Sequence, residues 1–267
     1  LQDAVPIRLG QEFRAYAGAI DRCLRNIQLT ERDLYEIGLG GSAVGTGINT
    51  PNGYARNVAA ELKRLTRLPL KSATDLRLAM QSQYPIARLS GELRNLAYEV
   101  GRICNDLRLL ASGPPTGFDE IHLPPVAPGS SIMPGKVNPS IPEMVNQVCF
   151  QVIGCDLTIA QAVGAGQLEL NVMMPVMAHN LLFSIQIFGQ ALRQLTEKCI
   201  LGISANKKRC EFYAAGSLGL ATALNPYIGY AKAAEVSKEA IRTGKSIIQV
   251  VREKKILPEK TIQKLFA

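Results

Sequence analysis

The residues that could do chemistry lie together in a stretch without helical periodicity, residues 116–139. Its centre holds two adjacent serines, a lysine and an asparagine: Ser130, Ser131, Lys136 and Asn138. Prolines and glycines around them predict a long irregular loop, and long loops on a rigid scaffold are commonly functional. Hydroxyls, an ammonium group, a carboxamide and free backbone amides are what a dianionic substrate and a developing oxyanion need. These residues therefore predict an anion-binding active-site loop, with a solvated connector as the alternative.

Four long segments carry apolar residues at alternating intervals of three and four, which is the pattern of one buried helix face. The clearest runs without interruption from Ile86 to Leu110 and stops before Gly113-Pro114-Pro115, which cannot continue a helix. Similar patterns cover residues 13–27, 145–159 and 181–199. No segment alternates in the manner of a strand in a hairpin. The predicted fold class is all-α, a bundle of long and nearly parallel helices.

The pattern changes after residue 202, where short helical stretches are separated by residues that interrupt helices. These are Gly216, Gly219, Asn225-Pro226, Gly244 and Leu257-Pro258. We therefore predict two domains. Residues 1–202 form a central helical bundle that carries the loop, and residues 203–267 form a small C-terminal helical domain.

A glycine-rich stretch at residues 40–47 has two interpretations. A phosphate-binding loop would need a strand before it and a Gly-Lys-Ser/Thr sequence after it. The sequence provides neither. The stretch instead predicts a tight turn in which backbones pack closely.

Composition narrows the classes of function. The chain has 30 Lys and Arg against 22 Asp and Glu, a net charge of +8, and only 19% charged residues. A low charged fraction favours a subunit that hides surface against copies of itself. The basic residues are spread along the chain without interleaved aromatic residues, so we expect no nucleic-acid partner. An anionic small-molecule substrate explains the positive charge equally well. No apolar run is long enough to predict a membrane span.

Cysteines and histidines give no metal-binding pattern. The six cysteines contain no CxxC pair, and the only two histidines, His122 and His179, lack partners at ligand spacing. We expect reduced and mostly buried thiols, no metal and no cofactor. Because the chain does not open on a secretory leader, we expect a cytoplasmic location.

The loop centre also resembles a known family motif. Residues 129–139 read Gly-Ser-Ser-Ile-Met-Pro-Gly-Lys-Val-Asn-Pro. They resemble the aspartase/fumarase superfamily motif Gly-Ser-Ser-x-Met-Pro-x-Lys-x-Asn-Pro at every fixed position. The resemblance extends along the whole chain, through Leu1-Gln2-Asp3-Ala4-Val5-Pro6, Gly45-Thr46-Gly47-Ile48-Asn49 and Asn225-Pro226-Tyr227-Ile228-Gly229-Tyr230. Family members carry a Thr-His pair and an N-terminal domain before the point where this sequence starts, so we expect a C-terminal fragment that is inactive alone.

Within the superfamily, the residues after the loop favour the aspartate ammonia-lyases, which convert L-aspartate to fumarate and ammonia. They are Asn138-Pro139-Ser140-Ile141-Pro142-Glu143, and residues 165–173 agree with them. Class II fumarases usually carry Thr-Gln-Cys-Glu after that Asn-Pro. Met174 stands where aspartases usually carry glutamate. The alternatives are a class II fumarate hydratase and, in another class, a catalytically silent structural relative.

The resemblance implies a role for each loop residue. Ser130 would be the general base that removes a proton from the carbon beside the substrate's side-chain carboxylate. Ser131 and the loop amides would hold the resulting aci-carboxylate intermediate, and Lys136 and Asn138 would bind the other carboxylate. A serine becomes a base only where oriented amides and exclusion of water favour its anion.

Other implied roles are less direct. Glu143 would be a catalytic residue that orients a histidine carried elsewhere in the family, or else a first-turn acid favoured by the helix dipole. Gly129 belongs to the loop, and Met133 is expected to pack within it. We expect His179 to pack or to cap a helix, and His122 to lie at the surface. The resemblance further implies a homotetramer whose active sites combine segments from three subunits.

Overall fold

Helices dominate the computed structural model, which describes residues 2–266 of the chain. They are α1 (Leu9–Glu31), α2 (Tyr54–Thr66), α3 (Leu76–Gln81), α4 (Tyr84–Leu110), α5 (Ser140–Gly164), α6 (Met174–Lys198), α7 (Lys207–Gly216), α8 (Asn225–Thr243), α9 (Ile247–Glu253) and α10 (Glu259–Phe266). Single 3₁₀ segments are Arg32–Tyr35, Ile200–Gly202 and Leu218–Leu224. The all-α class predicted from apolar periodicity is confirmed.

Four strands of two residues each also occur, although the sequence predicts none. β1 (Glu36–Ile37) pairs in parallel with β2 (Lys71–Ser72), and β3 (Ile121–His122) pairs antiparallel with β4 (Ser204–Ala205). A strand of two residues is too short to show an alternating pattern, so periodicity could not have found it.

The four long predicted helices form, although α1 buries only Cys23 and Thr30. The pattern on α4 is buried almost throughout, at Leu89, Leu96, Val100, Ile103, Leu107 and Leu110. α5 and α6 pack along each other, and a shared core joins Leu89 of α4 to Ile159 of α5 and to Met177 and Leu181 of α6. Burial of these side chains removes apolar surface from water and fixes the three helices as one scaffold.

A buried polar cluster sets the register between α4 and α5. Asp156 of α5 is buried and accepts hydrogen bonds from Ser90 Oγ at 2.6 Å and from Arg94 Nη1 at 3.0 Å, both on α4. A buried carboxylate is tolerated only with such partners. A shift of α4 along α5 would leave that charge unpaired. The start of α5, where the loop ends, is thereby held in place.

The glycine-rich stretch at residues 40–47 forms tight turns, as predicted. Gly40, Gly45 and Gly47 have φ values of +96°, +81° and +71°. A Cβ atom on Gly45 would collide with the backbone of Arg77. Glycine is required there because both the left-handed backbone and the close approach exclude a side chain.

The described residues divide into two compact units. One unit comprises Tyr16–Leu109 and Leu123–Ile203, and includes the long helices α4, α5 and α6. The other comprises Ser204–Ala267, Leu110–His122 and the N-terminal residues up to Ala15. The division into continuous domains at 1–202 and 203–267 stays a prediction.

The C-terminal helices differ in one respect from the sequence analysis. Asn225-Pro226, interpreted as an interruption, instead begins α8 with the proline in its first turn, and the helical conformation is broken three residues later, at Gly229. Proline is well suited to that position because the N–H it lacks has no helical partner there. α8, α9 and α10 share a buried cluster made by Leu224, Val236, Ile247, Val250, Val251 and Ile262, among others.

In residues 2–266, no helix is long and apolar enough to cross a membrane. The six cysteines are all free, and five of them are buried. Burial raises the pKa of Cys104 to about 12 and that of Cys149 and Cys199 to about 11. These thiols are therefore protonated and unreactive near neutral pH.

Replacing Cys104 by alanine is expected to make the free energy of unfolding less sensitive to alkaline pH. The folded pKa of this thiol is about 12, against an ordinary value of 9.0. Between these values the unfolded chain releases a proton that the folded chain keeps. The free energy of unfolding then falls as pH rises, by about 1.4 kcal/mol per pH unit for this group. Urea titrations at about pH 8 and about pH 11 measure the effect. An identical pH dependence in Cys104→Ala would contradict it.

Candidate active site

The loop predicted at residues 116–139 is irregular from residue 123 up to the start of α5. Every predicted site residue lies in the unit that contains Leu123–Ile203. Gly129, Ser130, Asn138 and Glu143 are half-buried, whereas Ser131, Met133 and Lys136 are exposed. The structure thus brings the predicted residues onto one loop and the helix turn that follows it.

Two hydrogen bonds join the two ends of the loop centre, Gly129 on one side and Lys136 and Asn138 on the other, and we call this closure the neck of the loop. The Gly129 N–H donates to the Lys136 carbonyl at 2.9 Å, and Asn138 Nδ2 donates to the Gly129 carbonyl at 2.8 Å. A Cβ atom on Gly129 would lie 2.5 Å from the Lys136 carbonyl oxygen, so only glycine allows this approach. The sequence analysis missed this structural use of Gly129 and Asn138. No spacing rule links them, because the contact is formed across an irregular loop.

The Ser130 side chain sits at the turn inside this neck. Its Oγ accepts hydrogen bonds from the backbone N–H groups of Ile132 and Met133, each at 3.2 Å. Two donors aimed at a hydroxyl oxygen favour its deprotonated form over the neutral one. This is the feature that a serine needs in order to act as a base, and the sequence alone predicted only that oriented amides would be required.

An open cavity of about 460 Å³ lies against the loop. Its lining includes Ser130 and Lys136 among mainly apolar residues, which are Pro125, Val126, Ala127, Pro128, Met133, Pro134 and Val137. No carboxylate in residues 2–266 lies within ion-pair distance of the Lys136 ammonium group. An unpaired lysine and a polarised serine that line the same mainly apolar cavity are suited to a small anion. Met133 lines this cavity together with other loop residues and is 47% exposed, and its packing within the loop stays a prediction.

Glu143 lies in the first turn of α5, and its N–H donates to the Pro139 carbonyl at 3.1 Å. This position is favourable for an acid because the amino-terminal end of a helix carries partial positive charge. This position agrees with the interpretation of Glu143 as a first-turn acid. Its role in orienting a histidine stays a prediction.

The two histidines occupy separate surface positions. His122 lies in β3 with Nε2 3.5 Å from Asp119 Oδ1, and its side chain is exposed. His179 is exposed on α6 and stacks on Phe183, with ring centroids 6.1 Å apart. It therefore packs on a neighbouring ring and caps no helix end. Across residues 2–266, no group of three or more His, Cys, Asp or Glu side chains is placed to hold a metal ion.

Replacing Gly129 by alanine is expected to lower the turnover of the enzyme that contains this chain by about tenfold, without unfolding it. The new Cβ would collide with the Lys136 carbonyl and push the two backbone segments apart. Because Ser130 is the residue after position 129, its hydroxyl would be displaced as well. Gly135→Asn is the matched control. Gly135 has φ +80° with open space around it, and asparagine tolerates that conformation. Turnover and the thermal unfolding temperature are measured for both variants. Parental turnover in Gly129→Ala would contradict a catalytic role for the close approach of Gly129 to Lys136.

Two family models match the chain. One, described as Lyase, covers residues 1–154. The other, described as Fumarase C C-terminus, covers residues 220–267.

Several curated relatives share the name aspartate ammonia-lyase. Aspartate ammonia-lyase of Helicobacter pylori is 48% identical over 266 residues, and that match covers 100% of this chain and 57% of the relative. Aspartate ammonia-lyase of Pseudomonas aeruginosa is 49% identical, covering 98% of this chain and 56% of the relative. The Escherichia coli K12 enzyme of the same name is 47% identical, in a match that covers 100% of this chain and 56% of the relative. The chain therefore spans about half the length of the curated relatives it matches.

Solved structures share the fold closely. A fumarate lyase:delta crystallin from Brucella melitensis superposes with a TM-score of 0.95 at 45% identity, over 100% of this chain and 58% of that one. A class II fumarase from Schistosoma mansoni superposes with a TM-score of 0.94 at 33% identity, over 100% of this chain and 59% of the fumarase chain. Together with the loop motif and the family models, these matches show that the chain belongs to the aspartase/fumarase superfamily of lyases.

Proposed function

We propose that the enzyme containing this chain is an aspartate ammonia-lyase, which eliminates ammonia from L-aspartate to give fumarate. The observation that carries the proposal is the Ser130 hydroxyl, which accepts two backbone hydrogen bonds beside an unpaired lysine. The name shared by relatives at 47–49% identity supports aspartate as the substrate.

In the proposed mechanism, Ser130 removes the proton from the carbon next to the side-chain carboxylate. The Ile132 and Met133 N–H groups stabilise its oxygen as an anion. Negative charge then moves onto the side-chain carboxylate as an aci-carboxylate, which the Ser131 hydroxyl and loop amides stabilise. Loss of ammonia from the neighbouring carbon forms the double bond of fumarate, and the proton on Ser130 returns to solvent.

The substrate's other carboxylate is assigned to Lys136 and Asn138. The Lys136 ammonium is exposed at the cavity and supplies the charge. The Asn138 side-chain amide has two N–H donors, and the bond to Gly129 uses one of them. The remaining donor and the Lys136 charge fix the orientation of the carboxylate, which holds the reacting carbon in place.

A homotetramer with composite active sites is part of the proposal. Large apolar side chains are exposed on α5 and α6, namely Phe150, Leu157, Leu182 and Ile185. Such surfaces on packed helices favour self-association, and closed symmetry is the usual form. Sedimentation of the intact enzyme tests this, since a stable monomer at micromolar concentration would contradict it.

The free thiols support a reducing compartment, so we place the enzyme in the cytoplasm.

Two reactions measured side by side test the choice of substrate. The enzyme should release ammonia from L-aspartate faster than it forms malate from fumarate. Faster hydration of fumarate would instead identify a class II fumarase, and the chain superposes on one such enzyme with a TM-score of 0.94. A folded tetramer without either activity would identify a catalytically silent relative.

A further inference from the structure

Positive charge is concentrated in the last quarter of the chain. Residues 204–267 contain 12 Lys and Arg and five Asp and Glu, a net charge of +7 out of +8 for the whole chain. Three of the five acids, Glu239, Glu253 and Glu259, already form ion pairs within this segment. Most of its lysines therefore have no local counter-charge.

One of these lysines borders a groove between the Leu218–Leu224 segment and α8. The groove has a volume of about 310 Å³ and contains no acidic residue in its lining. Its apolar part consists of Leu218, Ala221, Ala233 and Ala234, and its polar part of Thr222, Asn225, Tyr230, Ser237 and Lys238.

A break in the helical backbone of α8 lies next to Tyr230, whose aromatic ring lines this groove. Gly229 interrupts α8 with φ 78° and ψ 159°, a conformation that is essentially restricted to glycine. The next residue, Tyr230, lines the groove and is 79% exposed. The Asn225-Pro226-Tyr227-Ile228-Gly229-Tyr230 sequence thus shapes one side of a surface that the catalytic loop does not include.

We propose that this groove binds a small organic monocarboxylate with a flat apolar body. Lys238 supplies one ammonium group, which has no ion-pair partner in residues 2–266, and hydroxyl and amide groups beside it provide further donors. The alanines and the Tyr230 ring provide a surface for an apolar body. None of the residues that line this groove belongs to the catalytic loop, which is proposed to hold a dicarboxylate.

Calorimetric titration of the intact enzyme with benzoate tests the site, in the presence of saturating succinate to occupy the catalytic loop. We expect a dissociation constant of about 1 mM, in keeping with an open groove and a small ligand. Benzamide, which keeps the ring and lacks the charge, should bind at least about tenfold more weakly.

Two lysine variants on α8 make the test specific. Lys238→Met should weaken benzoate binding about tenfold, and Lys238→Arg should restore it. Lys232→Met is the matched control, since Lys232 is exposed on the same helix and lies outside the groove. Equal binding of benzamide and benzoate, or equal losses in Lys232→Met and Lys238→Met, would overturn the proposal.

Discussion

Replacing Ser130 by alanine is expected to lower the turnover of the enzyme that contains this chain by about a thousandfold or more. A loss of that size corresponds to about 4 kcal/mol of barrier. The hydroxyl is proposed to act only in the transition state, by taking the proton, so binding of the ground state should change little. Steady-state rates with L-aspartate, together with the dissociation constant for succinate, measure both quantities. A variant that keeps more than a tenth of the parental turnover would refute Ser130 as the base.

A second substitution separates proton transfer from loop shape. Ser130 also accepts hydrogen bonds from the Ile132 and Met133 amides, so alanine removes a structural contact as well. Asparagine at this position offers an oxygen to the same turn but no hydroxyl to ionise. We expect Ser130→Asn to be as inactive as Ser130→Ala. Recovery of activity in the asparagine variant would mean that Ser130 shapes the loop and that another group takes the proton.

Replacing Lys136 by methionine is expected to weaken binding of dicarboxylates by about a hundredfold. Methionine is similar in length to lysine but carries no charge. The substitution therefore removes the one cationic side chain in the lining of this cavity and leaves a bound carboxylate without its charge partner. The effect should appear in the dissociation constant of succinate and in KM for L-aspartate, with a smaller change in kcat.

The matched control is Lys63→Met on α2, which removes another exposed lysine that lies outside the loop. It should leave succinate binding unchanged. Equal weakening in the two variants would show that general positive charge, and not Lys136 at the site, attracts the dicarboxylate. Unchanged binding in Lys136→Met would exclude the assigned carboxylate contact.

Three of the four long helices could be predicted from the sequence because α4, α5 and α6 each bury a regular apolar pattern, whereas α1 forms although it buries only Cys23 and Thr30. The predicted pattern from Ile86 to Leu110 lies on α4, and the pattern at 145–159 lies on α5. Such periodicity is a local property, and burial against neighbouring helices reinforces it. The start of α8 was misinterpreted because proline both ends helices and begins them, and only the surrounding contacts decide which.

Prediction of the site was less complete. The residue types indicated an anion-binding loop, and the family motif indicated individual roles. The hydrogen bond between Asn138 and Gly129 and the two amides aimed at Ser130 follow no repeat. They depend on the path of an irregular backbone, which residue spacing does not encode.

Deuterium incorporation tests the central claim most directly, namely that Ser130 transfers the proton at the carbon beside the side-chain carboxylate. Fumarate and ammonia are incubated with the enzyme in heavy water, and NMR follows deuterium at that carbon of the aspartate formed. The account predicts rapid and stereospecific incorporation by the parent enzyme. It also predicts a rate lower by about a thousandfold in both Ser130→Ala and Ser130→Asn. Incorporation by either variant at more than a tenth of the parental rate would contradict it.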